Sequence, residues 1–174
     1  MTAPDKEAPE KLQKFMGDLN GLYRSHPALY EKDDDYDGFE WVQLMKYEEN
    51  VLTFLRKTDK PEEMILAVFN FAGISYRNYQ VGVPFHGKYK EIFNSDRKEY
   101  GGEGMTNPRV KTSRAEECDE RENSIKITVP ALGVTVFSCS PEEKKAAAKK
   151  RTVKKTVVKK TAVPEKKASA GKKK

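Results

Sequence analysis

The sequence contains 174 residues, of which 33 are Lys or Arg and 27 are Asp or Glu, with a formal net charge of +6. This length suffices for one ordinary domain and excludes a complete (β/α)₈ barrel with accessory modules, because such barrels need about 250 residues. Residues 141–174 carry a net charge of +11, whereas residues 1–140 carry −5. The basic composition therefore belongs to one end of the chain and does not by itself predict a nucleic-acid-binding fold.

The start of the chain predicts an unstructured segment followed by a helix. Residues 1–8 are polar and lack an apolar run, so we expect a disordered lead-in and not a secretory signal. Residues 9–24 place apolar side chains at spacings of three and four, which predicts an amphipathic helix that ends before Pro27. The apolar positions are Leu12, Phe15, Met16, Leu19, Leu22 and Tyr23.

From residue 39 the chain changes to short runs rich in β-branched and aromatic residues, separated by turn-forming residues. Because no helix-length segment lies between these runs, we predict an all-β domain over residues 38–140, an antiparallel Greek-key β-sandwich. Run 64–71 is almost entirely apolar and should be a central strand buried on both faces. Residues 105–123 are polar, and we predict a long surface loop there. The seven runs are 39–45, 51–57, 64–71, 79–83, 89–94, 125–129 and 133–138.

Residues 141–174 are dominated by Ala, Lys, Thr and Val. Such a segment buries too little apolar surface to offset its ordering entropy, so we predict a disordered Lys-rich tail. A tail of this charge favours weak, non-specific association with polyanions, and its composition resembles the tails of linker-histone-like proteins. The tail lacks aromatic residues for base stacking, so a dedicated nucleic-acid function is the less favoured alternative.

The cysteines and histidines do not follow a metal-binding pattern. Cys118, Cys139, His26 and His86 show no CxxC or HxxxH spacing, so we assign no metal-ligating residue and expect no cofactor. No run approaches the roughly 18 apolar residues of a membrane span. We therefore expect a cytoplasmic protein without a membrane partner, in which both cysteines are free thiols.

Acidic and aromatic residues are frequent enough that two kinds of site have to be considered, a carboxyl pair and an aromatic platform. The acidic side chains fall in turn-rich segments, which favours solvated turns over a glycosidase carboxyl pair. Aromatic side chains could form a platform for glucose rings, but in sandwich strands they are more often core, and we expect Trp41 to be buried. The acidic residues considered are Asp33, Asp34, Asp35, Asp37, Asp96, Glu116 and Glu117. The aromatic ones are Trp41, Tyr47, Tyr76, Tyr79, Tyr89 and Tyr100.

A set of strings along the chain is similar to a known family. They are KFMGDLNGLYRSHPALYEKD at 14–33, GFEWV at 38–42, VLTFLRK at 51–57, LAVFNF at 66–71, YQVGVPFHGKYKEIFNSD at 79–96, YGGEG at 100–104 and VPALGVTVF at 129–137. In this order and spacing they resemble the end of bacterial glycogen (1,4-α-glucan) branching enzymes, members of the α-amylase superfamily. The resemblance implies that residues 9–37 are the end of a catalytic barrel and its linker, and that residues 38–140 are the C-terminal all-β domain.

The same resemblance implies what this segment does. Branching enzymes are implied to cut an α-1,4 bond and pass the chain to a 6-hydroxyl, through a retaining mechanism with two carboxyl groups. Those groups are implied to lie upstream of the matched segment, so we assign no catalytic residue here. The implied partner is a catalytic barrel, in cis or in trans, with α-glucan as a further ligand. The alternatives are a standalone α-glucan or polyanion-binding module, and the end of another α-amylase superfamily enzyme.

The resemblance also sets an expectation for the helix. Its apolar stripe is implied to pack on barrel strands that this chain lacks. We expect the sandwich to recruit only the end of the stripe near Leu22 and Tyr23. Leu12 and Phe15 should stay exposed, since an isolated helix of about sixteen residues is marginal in water.

Overall fold

The computed structural model describes residues 7–46 and 48–142, and the side chains of residues 44–46 lie outside that description. Most of the predicted lead-in (1–8) and of the predicted tail (141–174) therefore lies outside the described residues. Where those segments are described, Ala8 begins the helix and Pro141 ends the last strand.

Within the described residues the chain forms one α-helix and eight β-strands, joined by short 3₁₀ turns. The helix and all seven predicted strands are present, with ends that shift by a few residues. The helix is α1 (Ala8–Ser25). The strands are β1 (Phe39–Lys46), β2 (Val51–Arg56), β3 (Ile65–Asn70), β4 (Tyr76–Val83), β5 (Gly87–Asn94), β6 (Lys111–Thr112), β7 (Asn123–Val129) and β8 (Gly133–Pro141).

The described strands form two antiparallel sheets. One has the order β1-β2-β3-β8-β5-β6, and the other pairs β4 with β7. The last strand, β8, returns to lie between β3 and β5, with Leu66 opposite Phe137 and Tyr89 opposite Cys139. A late strand that pairs with an early one across a long connection is the Greek-key arrangement. The predicted all-β antiparallel sandwich is therefore confirmed.

The main core lies between the two sheets, where strand alternation sends every second side chain inward. On β3, Ile65, Leu66 and Val68 are fully buried, and the strand lies between β2 and β8, so the predicted central strand is present. Burial on both faces holds only in part, because Met64 and Phe69 are half-buried. Phe71, beyond the end of β3, is exposed. The core residues are Val42, Val51, Leu55, Leu66, Val68, Tyr79, Val81, Val83, Tyr89, Ile125, Ile127, Val129, Phe137 and Cys139.

The predicted long surface loop over 105–123 contains paired segments that the sequence did not indicate. β6 pairs with β5, and Arg114 bridges to Ser124. At the tip Cys118 and Arg121 exchange two backbone hydrogen bonds of 3.0 Å around Asp119 and Glu120, which have φ of 52° and 58°. Positive φ at both central residues is the geometry of a tight hairpin turn, normally signalled by Asn-Gly or Asp-Gly. An Asp-Glu pair gives a weak signal, which is why the pattern suggested a loop.

No helix among the described residues is both long enough and apolar enough to cross a membrane.

Candidate functional site

The candidate site lies on the outer face of the large sheet, which is the face turned away from the second sheet. On β3, Ile65 and Phe69 alternate with the core residues Leu66 and Val68 and so point to this outer face. Ile65 is fully buried, whereas Phe69 is only half-buried. The difference arises because α1 covers one part of the face and leaves another part open.

The helix is seated on this face through a second apolar cluster. Leu22, Ile65, Phe93 and Val136 are buried together, and Phe15 packs against them. The Phe15 ring centroid lies 5.6 Å from that of Phe93. Phe93 and Val136 are opposite one another on β5 and β8, so α1 covers the part of the face where those strands meet.

Two of the expectations for the helix are therefore wrong. Phe15 is not exposed, since Phe93 and Tyr100 both contact it, the latter edge-on at 5.3 Å. Tyr23 is not recruited by the sheet, because its ring packs against Tyr30 at 5.4 Å and it stays exposed. Leu12 is exposed, as expected. Sequence reasoning missed the partner because Phe15 and Phe93 lie far apart in the chain.

A polar contact fixes the helix in this seat. The Tyr100 hydroxyl donates to Asp18 Oδ2 at 2.7 Å, and Lys14 Nζ donates to the same oxygen at 3.0 Å. These two hydrogen bonds lower the pKa of Asp18. Burial and the neighbouring carboxylate raise the pKa of Tyr100 to about 12, so the phenol keeps its donor proton in ordinary buffers.

Tyr100 is itself held by a compact turn, here called the Asp96 loop (residues 94–105). The Asp96 carboxylate accepts hydrogen bonds from the backbone N–H groups of Glu103 at 2.9 Å and Met105 at 2.8 Å. Gly101 and Gly104 have φ of 92° and 84°, a region that favours glycine, so these two glycines allow the tight turns of the YGGEG string. The residues of the strings NSD and YGGEG thus form the loop that holds Tyr100 against α1.

The uncovered part of the outer face carries five aromatic side chains, here called the aromatic row. Neighbouring ring centroids lie between 4.9 and 6.3 Å apart. Trp41 is 45% exposed, so the prediction that it is buried is wrong. It lies on β1 at the edge of the sheet and contacts Phe39 and Phe54 on the face that α1 leaves open. The aromatic row is Phe39, Trp41, Phe54, Phe69 and Phe71.

Comparison with known proteins decides the family. The family model described as "Alpha amylase, C-terminal all-beta domain" matches residues 41–140. The chain belongs to this family. Within it, the predicted likeness to bacterial branching enzymes is confirmed by the relatives described next.

Several curated relatives share the sequence of this α-amylase C-terminal domain. The 1,4-alpha-glucan branching enzyme GlgB of Thermosynechococcus vestitus is 37% identical over 140 residues, which cover 80% of this chain and 18% of the relative. The enzyme of the same name from Oceanobacillus iheyensis is 38% identical over 131 residues, covering 75% of this chain and 21% of the relative. The chain thus spans about one fifth of the length of these relatives.

Among solved structures, an alpha-amylase from H. orenii superposes with a TM-score of 0.41 and 18% identity, covering 70% of this chain and 19% of that one. So distant a likeness supports no conclusion about the function of this α-amylase C-terminal domain.

The described tyrosines among those considered as a glucose platform do not lie together on one surface of the domain. Tyr79 and Tyr89 belong to the core between the sheets, as the core interpretation predicted. The Tyr79 hydroxyl donates to Glu49 Oε2 at 2.7 Å, and burial first, then this carboxylate, raise the pKa of Tyr79. Tyr76 packs against the same core, and Tyr47 lies outside the described residues.

The acidic residues considered as a carboxyl pair are engaged in separate local contacts. Asp33 pairs with Arg56, and Asp35 accepts a hydrogen bond from the backbone N–H of Asp37 at 3.0 Å. Glu116 pairs with Lys126 at 3.2 Å. Asp34 and Glu117 are exposed, and Asp96 holds its own loop. Among residues 7–46 and 48–142, no three His, Cys, Asp or Glu side chains are placed to hold a metal ion.

The histidines and cysteines of the domain also make structural contacts. His26 Nδ1 lies 3.0 Å from the carbonyl oxygen of Leu22 at the end of α1. His86 lies 3.1 Å from both the Ser113 hydroxyl and the Glu142 carboxylate. Cys118 and Cys139 are not joined to each other by a disulfide. Cys139 is fully buried in the core, and this burial raises the pKa of its thiol, which disfavours the thiolate that nucleophilic catalysis needs.

Glu40 joins the sheet edge to the Cys118–Arg121 hairpin and makes stability depend on pH. It accepts hydrogen bonds from Lys57 Nζ at 2.8 Å and from Arg121. Burial opposes ionisation of Glu40, but these two cations outweigh it and hold the pKa of the carboxyl below its ordinary value. A lowered folded-state pKa contributes stability above the ordinary carboxyl pKa, and that contribution is lost as pH falls through the lowered value.

We therefore expect Glu40→Gln to reduce the free energy of unfolding at neutral pH by less than about 1 kcal/mol, because Glu40 is partly exposed. The difference between the variant and the parent should vanish in acid. Urea titrations of both proteins at neutral and acid pH measure this. If the free energy of unfolding of Glu40→Gln stays below that of the parent by the same amount down to acid pH, the charge of the Glu40 carboxylate contributes nothing to stability.

Proposed function

We propose that this chain is the C-terminal domain of a 1,4-alpha-glucan branching enzyme of glycogen biosynthesis, and that it supports the catalytic barrel, in cis or in trans. The observation that carries the proposal is the similarity to branching enzymes. It covers 140 residues of this chain with the Thermosynechococcus vestitus enzyme, whereas the family match covers residues 41–140. The reaction of the parent would be transfer of an α-1,4-glucan chain to a 6-hydroxyl.

We further propose that the chain carries no catalytic residue of its own. Retaining glycosidases place two carboxyl groups about 5–5.5 Å apart on either side of the scissile bond. The candidate carboxyl groups of this chain are instead held by local partners, such as Arg56 for Asp33 and the loop amides for Asp96. In barrel enzymes of this kind the catalytic residues lie at the C-terminal ends of barrel strands.

A standalone α-glucan-binding module is the second candidate, and the exposure of Trp41 and Phe71 favours it. Aromatic side chains provide large apolar surfaces for ligands. This candidate predicts that the full chain binds linear α-glucan without any barrel. Polyanion binding by residues 141–174 stays a prediction from charge, and it should weaken steeply as salt rises.

A chimaera tests the proposed function. The matched segment of the Thermosynechococcus vestitus enzyme is replaced by the full 174-residue chain, and the enzyme without that segment is the control. We expect the chimaera to recover branching activity, followed by iodine staining and α-1,6 linkage analysis, and to unfold at a higher temperature than the truncated control. The full chain alone should show no branching of amylose.

Two results would contradict the proposal. A chimaera no more active or stable than the truncated enzyme would remove the supporting role. Branching turnover by the full chain alone, well above a buffer control, would show that it carries its own catalytic residues.

A further inference from the structure

A basic cavity of about 560 Å³ lies where segment 109–116 crosses from the large sheet to the second sheet. We propose that it binds a small anion with a diphosphate group, either inorganic pyrophosphate or an organic diphosphate ester. This site goes beyond the proposed function and does not depend on it. The volume falls within the range of about 300–1,000 Å³ that is typical of small-molecule sites. The cationic residues that line the cavity are Arg109, Lys111, Arg114 and Lys126.

The charge of the cavity favours a diphosphate over a single phosphate. Its four cationic side chains and its one carboxylate, Glu116, give a net charge of +3. A phosphate monoester carries about −1.5 to −2 at neutral pH, and a second phosphate group adds to that charge. A diphosphate therefore neutralises the cavity more completely. Two of the four cations are arginines, whose planar guanidinium groups match the geometry of phosphate oxygens.

Two of the cations have no anionic partner in the described part of the chain. Arg114 and Lys126 pair with Glu116, whereas Arg109 and Lys111 lie beyond salt-bridge distance of every described carboxylate. Like charges around one cavity repel one another, and an anion placed between them removes that repulsion. The empty cavity thus holds two cations that an anionic ligand would neutralise.

Glu116 is a weak internal competitor for the other two cations. Its carboxylate lies 3.2 Å from Lys126 Nζ and 3.7 Å from Arg114 Nη1, and Gln80 Nε2 donates to it at 3.5 Å. These distances exceed the roughly 2.7–2.9 Å of a charge-assisted hydrogen bond. The Glu116 side chain is also 42% exposed, and exposed ion pairs are weak. An incoming diphosphate can therefore take Arg114 and Lys126 from Glu116.

The backbone that carries the cations is fixed to both sheets. On the large sheet, the Ser113 N–H donates to the Gly87 carbonyl oxygen at 3.0 Å, and the Gly87 N–H donates to Ser113 Oγ at 2.9 Å. On the second sheet, Arg114 and Ser124 exchange two backbone hydrogen bonds of 2.9 and 3.0 Å. Ligand binding then has to order side chains but not the chain that bears them, which lowers its entropic cost.

The other lining residues disfavour a nucleic acid or a glucan as the ligand. None of the described residues around the cavity is aromatic, so neither a base nor a glucose ring finds a stacking surface there. The neutral polar side chains of Asn78 and Thr112 also line it and can donate hydrogen bonds. Recognition would therefore rest on the phosphate oxygens.

Isothermal titration calorimetry of the full chain with inorganic pyrophosphate, at about 0.15 M salt to screen diffuse attraction, tests the site. We expect saturable binding that Arg109→Gln and Lys111→Gln each weaken by about tenfold, as for the loss of a hydrogen bond to a charged group. Glu116→Gln should strengthen binding several-fold, because it removes the internal competitor. The matched control is Arg24→Gln, which removes one exposed positive charge from the last turn of α1. It should leave affinity unchanged.

Amide NMR of the unsubstituted chain gives a second measurement that does not depend on any variant. Pyrophosphate should shift the amide signals of residues 109–116 and 124–126. Adenosine diphosphate is the organic arm: tighter binding than pyrophosphate at the same residues would assign the ester as ligand, and equal binding the inorganic ion. An equal loss of affinity with Arg24→Gln, or shifts confined to other residues, would show attraction by overall charge and overturn the inference. So would the absence of binding at millimolar pyrophosphate.

Discussion

Replacing Phe93 with alanine should lower the free energy of unfolding by about 3–5 kcal/mol, the usual cost of truncating a buried phenylalanine. Phe93 is only 2% exposed, and it lies beneath the rings of Phe15, at 5.6 Å, and Tyr100, at 5.9 Å. Its loss would leave a cavity where α1 meets the sheet. We expect the helix to lose its seat, so amide hydrogens of α1 should exchange much faster while those of β3 stay protected.

Urea titration of the full chain measures the loss of stability, and hydrogen exchange locates it. Phe71→Ala is the matched control, since the same ring is 61% exposed there and its removal should change stability by no more than about 0.5 kcal/mol. Equal losses for the two variants, or unchanged exchange in α1, would show that Phe93 does not hold the helix.

Gly102→Ala should have the second-largest effect, a loss of about 1–3 kcal/mol, as expected when atoms are forced into a packed site. A Cβ atom at Gly102 would lie 2.4 Å from the backbone carbonyl of Asp96, which cannot move aside like a flexible side chain. The Asp96 loop would have to open. Amide protection at Glu103 and Met105, whose N–H groups bond to the Asp96 carboxylate, should then fall.

Gly73→Ala is the control for this variant, because a Cβ there would meet nothing within 4 Å. A glycine replaced without strain usually leaves stability unchanged or raises it by about 0.4–1 kcal/mol. If Gly102→Ala unfolds at the same urea concentration as Gly73→Ala, the close approach to Asp96 is not required for the loop.

The strands can be predicted from local sequence patterns, whereas the solvent exposure of their side chains cannot. Turn-forming residues separate the strands, so all seven predicted strands are present. The exposure of Trp41 could not be predicted, because alternation along β1 tells which residues share a face and not whether that face is covered. The cover of the outer face is α1, which packs where β5 and β8 meet and leaves the part at β1 open.

The packing partners of α1 could not be predicted from the sequence for a similar reason. The apolar stripe predicts that the helix needs a partner, but Phe93 and Val136 come from β5 and β8, and their pairing is set by topology. The Cys118–Arg121 hairpin was missed because its turn lacks glycine. For the candidate site, the strings that carried the family resemblance proved to be structural, as the Asp96 loop illustrates. The aromatic row was visible in the sequence only as scattered strand residues.

The place of β8 in the large sheet decides the order in which a growing chain can fold. Before β8 is synthesised, β1, β2 and β3 can pair as neighbouring hairpins. β5 cannot yet join their sheet through backbone hydrogen bonds, because β8 is the strand between β3 and β5. Contacts between distant segments form late, since closing a long loop costs entropy first. α1 leaves the ribosome before its partners Phe93 and Val136 exist, so its apolar side stays open until then. Of the described elements, α1 is thus made before the strands and is among the last to dock, and its exposed stripe is a natural target for chaperones during synthesis.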